Sequence, residues 1–240
     1  MSSIKWIEAK DYEDLSKKAC DIFVEQLQNK PNSVIGLATG STPIGLYKEL
    51  VQQYHSGNVS FKDVVSFNLD EYVGIDPDNE ASYHYFMNHH LFKHVDIQKE
   101  NVHIPEGHSS DLETACRTYE QQIKEAGGID LQVLGIGVNG HIGFNEPGTP
   151  FDSLTHIVEL TQSTIEANQK YFEKPEDMPR KAITMGIQSI LNAKKIILLI
   201  SGEAKQEAYD RLRTGVITED LPASALHQHP DVTVIYTGVK

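Results

Sequence analysis

The chain has 240 residues, 39% hydrophobic and 23% charged, enough for one α/β domain with a large core and no sign of disorder. Its formal charge of −13 argues against nucleic acid or an anionic membrane surface as partner. An anionic substrate would therefore need a local positive pocket made of backbone amides and a few basic side chains.

The N-terminus, MSSIKWIEAK, lacks the apolar core of a signal peptide. Helical periodicity over 12–28 is followed by an apolar run at 34–38 that reads as a buried strand. A helix is predicted over 43–56, a strand over 64–69, and helices over 82–94 and 111–126. Strands at 131–137, 182–185, 195–200 and 232–237 follow, with a helix at 203–214 before the last. Asp111 and Glu203 stand at helix starts, where acidic groups suit the dipole. The longest purely aliphatic run, 196–200, is too short to span a bilayer. Cys20 and Cys116 fall in helical patterns without CxxC spacing, so free thiols and a reducing, cytoplasmic location are expected.

This alternation predicts an open, mainly parallel sheet with helices on both faces, a Rossmann-like α/β fold forming a single domain over 1–240. The stretch 161–180 breaks the pattern: it is polar, aromatic and proline-bearing, and reads as a helix followed by a mobile excursion, a candidate lid or an ordinary surface connection. In such folds ligands sit at the carboxyl ends of the strands, and three strands here end in polar or glycine-rich loops.

The first loop, 36–43 (GLATGSTP), offers a turn at Gly40, hydroxyls on Ser41 and Thr42, and a helix start whose amides would hold a phosphate. A simple capped turn is an equally good reading of it alone. The second, 67–74 (FNLDEYVG), places Asp70 and Glu71 directly after an apolar strand; adjacent strand residues point to opposite sides, so the two should differ in role. A carboxylate there can act as base toward a carbon-bound proton or cap the next turn. The third, 135–147 (GIGVNGHIGFNEP), interleaves Asn139, His141, Asn145 and Glu146 with glycines, a setting for a proton-shuttling histidine. Lys205 opens the helix after the 195–200 strand, where an ammonium and a helix start could share a phosphate or simply face solvent. Despite 11 histidines, no zinc-type spacing occurs, and neither a metal nor a cofactor is expected.

Together the segments 38–43, 67–74 and 140–147, in this order and spacing, resemble the glucosamine-6-phosphate deaminase (glucosamine-6-phosphate isomerase) family along essentially the whole chain. The resemblance implies reversible conversion of glucosamine 6-phosphate and water to fructose 6-phosphate and ammonia, a hydrolase-type reaction with aldose–ketose isomerisation. It assigns Asp70 as the base moving a proton between C2 and C1, which favours an ionised Asp70. His141 becomes the acid/base of ring opening, with Glu146 and Asn139 in its relay. The phosphate falls to Gly40, Ser41, Thr42 and Lys205, with Lys170 where family members place an arginine. Many members have Asp where this chain has Asn139, which leaves Glu146 as the expected carboxylate partner of His141. The chain stops at Lys240, and 153–158 lacks the basic pair of the allosteric, hexameric members. A short, non-allosteric form, monomeric or weakly associated, is predicted. The 6-phosphogluconolactonases, which share the fold, and a non-catalytic sugar-phosphate sensor are the competing readings.

Overall fold

The computed structural model describes residues 3–240. Seven strands form a wholly parallel sheet: β1 (Lys5–Glu8), β2 (Val34–Leu37), β3 (Val65–Asn68), β5 (Val102–His103), β6 (Leu131–Gly135), β9 (Lys195–Ser201) and β10 (Val232–Thr237). Their order is β1-β10-β9-β6-β2-β3-β5. The central strands are apolar on consecutive residues because both faces are covered.

The helices are α1 (Tyr12–Asn29), α2 (Ile44–His55), α3 (Tyr83–His90), α4 (Leu112–Glu125), α5 (Gln162–Asn168), α6 (Ile187–Leu191) and α7 (Gln206–Arg213). Connections β1-α1-β2 and β2-α2-β3 run toward one edge, whereas β5-α4-β6 and β9-α7-β10 run toward the other. With right-handed crossovers this reversal puts the two sets of helices on opposite faces. The direction changes between β2 and β6, so the crevice between their carboxyl ends is the topological switch point.

The strand expected at 182–185 exists but lies outside the parallel sheet. It is β8 (Lys181–Thr184), the centre of a second, antiparallel sheet between β4 (Asp70–Tyr72) and β7 (His156–Glu159). Four apolar residues do not reveal which sheet will take them. The small sheet is fixed to the end of the large one: the amide of Met185 donates to the Leu69 carbonyl at 2.7 Å. A small apolar cluster of Tyr72, Ile75, Phe144, Met178 and Ala182 fills the space beside it, with Phe172 and Ile165 of the 161–180 segment packed on top.

That segment is more structured than an open excursion. After α5 come two 3₁₀ turns, Gln169–Tyr171 and Pro175–Asp177, and Phe172 stands edge-on to Tyr72 with ring centres 5.7 Å apart. Cys20 and Cys116 are buried free thiols. Among the described residues, no helix is long and apolar enough to cross a membrane.

Candidate active site

A cavity of about 590 Å³ opens at the switch point, lined by Gly40, Ser41, Thr42, Asp70, Asn139, His141 and Lys205 among others. Seven of the nine sequence-predicted site residues thus share one wall system. Glu146 stands behind it, and Lys170 is outside it altogether.

The loop after β2 turns at Gly40, whose φ of +94° is accessible to glycine at no steric cost. Its shape is held by Tyr12, whose hydroxyl contacts the carbonyls of Ser41 at 3.0 Å and Thr42 at 2.8 Å and accepts from the amide of Gly45 at 2.9 Å. Tyr47, fully buried, bonds to the Ala38 amide and carbonyl below it. The backbone of the loop is therefore fixed before any ligand arrives. Facing it, Lys205 lies in the 3₁₀ turn Glu203–Lys205 that leads into α7. Its ammonium donates to the Ile136 carbonyl at 2.6 Å, and burial lowers its pKa below the ordinary lysine value. One donor is used; an ammonium has three, which leaves capacity for an anion.

Asp70 begins β4, one residue past the turn that carries the chain from the large sheet into the small one. It is 7% exposed, and burial, with the charge of Glu71 adding to it, pushes its carboxyl up to about 8. A carboxyl with that value is largely protonated at neutral pH in the free protein. Glu71 points the other way, as strand alternation requires. Its carboxylate accepts from the amides of Tyr72 (2.8 Å), Tyr83 (3.0 Å) and His84 (3.1 Å) and meets His84 Nδ1 at 2.8 Å. It caps α3 jointly with Ser82, whose hydroxyl accepts from the amide of Tyr85. One carboxylate is spent on structure; its neighbour has no hydrogen-bond donor among the described residues.

His141 is packed over Gly137, where any Cβ would collide with the imidazole ring. Its Nδ1 lies 2.8 Å from Asn139 Oδ1, while Asn139 Nδ2 donates to Glu146 Oε2 at 2.7 Å. Because the amide nitrogen must face the carboxylate, Oδ1 can only accept, and Nδ1 of His141 carries the proton. That leaves Nε2 as the free base. Glu146 Oε1 is 3.6 Å from His141 Nδ1, too far for a hydrogen bond. Glu146 thus stands at ion-pair distance from His141, the carboxylate partner expected, and Asn139 adds a hydrogen-bonded link between the two. Burial works against the charge on Glu146, but His141 beside it and the donors on Asn139 and Thr164 outweigh this and hold its carboxyl below the usual range. Asn145 is buried and donates to the carbonyls of Ile142 and Met185, both at 2.9 Å, which pins this loop to the end of β8.

Lys170 does not contribute to the cavity. It is exposed, with its ammonium 5.1 Å from the ring centre of the adjacent Tyr171. In this arrangement the expected phosphate role is not met. The cavity wall also includes Tyr83, Phe86, His90, Phe144 and Tyr171, none of which sequence reasoning singled out. Aromatic residues in helical or loop patterns read as core; only their position over the switch point marks them. Among the described residues, no group of three or more His, Cys, Asp or Glu side chains is disposed to hold a metal.

The model of the glucosamine-6-phosphate isomerases/6-phosphogluconolactonase family matches residues 10–235. A glucosamine-6-phosphate deaminase of Lysinibacillus sphaericus is 58% identical over 235 residues, 98% of this chain and 99% of the relative. One from Thermoanaerobacter pseudethanolicus is 56% identical over 225 residues, 94% and 89% of the two chains. The solved structure of a monomeric glucosamine-6-phosphate deaminase superposes with a TM-score of 0.94 at 50% identity, over 97% of this chain and 96% of the other. A 6-phosphogluconolactonase from Thermotoga maritima shares the fold, with a TM-score of 0.76 at 22% identity, over 98% and 99% of the chains. The chain therefore belongs to the glucosamine-6-phosphate isomerase/6-phosphogluconolactonase family.

Proposed function

We propose that this chain is a glucosamine-6-phosphate deaminase, using Asp70 as the C2 base and His141 as the ring-opening acid/base. The observation that carries the reading is the pairing, across one cavity, of a donor-free carboxyl with a raised pKa and a histidine held in one tautomer. A hydrolytic lactonase needs to activate water; a carbon acid needs a base of higher pKa kept away from competing donors.

In this scheme the phosphate rests on the 40–42 loop and Lys205, giving the −13 chain its local anion site. The remote phosphate fixes the sugar, so that C2 lies against Asp70. His141 Nε2 takes the proton from O1 and returns it to O5, opening the ring to the aldehyde. The substrate's ammonium then lies beside Asp70 and draws its pKa down, so the carboxylate forms where the C2 proton must be removed. Asp70 delivers that proton to C1, while O1 takes up the proton that the C2 ammonium gives up. The nitrogen at C2 becomes an imine; water adds to it, ammonia leaves, and the ketose remains. Water is consumed overall, with the isomerisation making the C–N bond labile. We place the protein in the cytoplasm, acting as a monomer like the 50% identical deaminase.

The test is ammonia release from glucosamine 6-phosphate beside hydrolysis of 6-phosphogluconolactone, on a sample whose mass is read by light scattering. Ammonia release by a 26.8 kDa species is expected. Lactone hydrolysis without ammonia would replace the assignment with the lactonase reading, and binding without turnover of either would favour a sensor.

A further inference from the structure

The relay behind His141 does not end at Glu146. Oε2 of Glu146 is occupied by Asn139, and Oε1 accepts from Thr164 Oγ1 at 3.0 Å. Thr164 stands in the first turn of α5 and is 9% exposed. Its hydroxyl in turn accepts from Thr161 Oγ1 at 3.0 Å, and Thr161 is the residue whose side chain caps α5. The chain of donors is directional, Thr161 to Thr164 to Glu146, and each polarised link strengthens the next. Among the described residues, the Thr164–Glu146 bond is the one hydrogen bond between α5 and the 137–146 loop. In sequence the two threonines look like an ordinary helix cap.

We propose that Thr164 is a positioning residue for ring opening, acting from the 161–180 segment through Glu146 and Asn139 on His141. The inference rests on the reading of His141 as the ring-opening group. Two donors, one on each oxygen, fix the rotation of the Glu146 carboxylate. That fixes which face of the Asn139 amide meets it, and hence which nitrogen of His141 is protonated. Without the Thr164 hydroxyl, Oε1 loses its donor in a half-buried setting and the carboxylate turns toward water. Asn139 can then flip, and the His141 tautomer is no longer held. The segment over the site thereby sets the protonation pattern beneath it.

Thr164→Val keeps the shape and removes the hydroxyl, and Thr164→Ser restores the hydroxyl. We expect Thr164→Val to lower kcat/KM for glucosamine 6-phosphate about ten- to a hundredfold, the worth of one hydrogen bond to a charged acceptor. Affinity for 2-amino-2-deoxyglucitol 6-phosphate, which has no ring to open, should stay within about twofold by calorimetry. Thr164→Ser should recover most of the rate. His141→Gln, run alongside, separates the two levels: if it is severely impaired while Thr164→Val is wild-type, the positioning role is overturned and the His141 reading stands. If His141→Gln is itself fully active, the underlying reading fails first. Equal loss of rate and of alditol affinity in Thr164→Val would show a structural role only, and would also overturn the proposal.

Discussion

Asp70 sits where a carboxylate is expensive. Among the described residues no side-chain donor reaches it, Glu71 adds a like charge, and its pKa rises from 3.8 to about 8. A carboxyl whose folded-state pKa is raised contributes stability below its unfolded value, and that contribution is lost as pH rises through the folded value. The window therefore runs from about pH 4 to about pH 8. Asp70→Asn, a neutral mimic of the protonated acid, should match the wild type in stability near pH 4. At pH 8 and above it should be more stable by on the order of 2–5 kcal/mol, a Tm gain of roughly 5–15 °C for a chain of this size. Calorimetric Tm across this range checks it; a gap that shrinks with rising pH would contradict the sign. Stability given up at one residue is the usual mark of a site kept for chemistry.

At the scale of elements, the site depends on the short β4 strand and on α3 beside it. Glu71 gathers the first amides of α3, and the same register aims Asp70 into the cavity. Glu71→Gln should have two effects of opposite character. An amide group facing backbone N–H donors destabilises the fold by about 1–3 kcal/mol, seen as a lower Tm. Removing the charge beside Asp70 also lowers its pKa, so the acid limb of kcat/KM should move to lower pH. An unmoved limb would mean that Glu71 does not tune Asp70. None of this was legible in FNLDEYVG beyond the alternation of the two carboxylates. Helices such as 12–28 and 111–126 were legible to within a residue or two, because capping and periodicity are local. Strands β1, β5 and β7 are short and edge-placed, and they owe their pairing to the rest of the fold rather than to their own residues.

Across the whole molecule, the reversal of strand order brings loops distant in sequence to one crevice: 40–42, Asp70, 137–146 and Lys205. Seven of the nine residues named from the sequence line the cavity; local signals at strand ends marked most of them as candidates, and the resemblance of the three segments to one family gave them roles. Lys170 could not be placed, because its direction depends on how the 169–177 turns pack over Tyr72. The role of Asn139 as intermediary likewise depended on distances that no spacing encodes. The central claim remains that Asp70 removes the C2 proton. Binding and turnover of glucosamine 6-phosphate by Asp70→Asn, measured on one preparation by calorimetry and ammonia release, test it most directly. The account predicts binding within a few-fold of wild type and turnover reduced by at least about 10³-fold; turnover near the wild-type rate would contradict it.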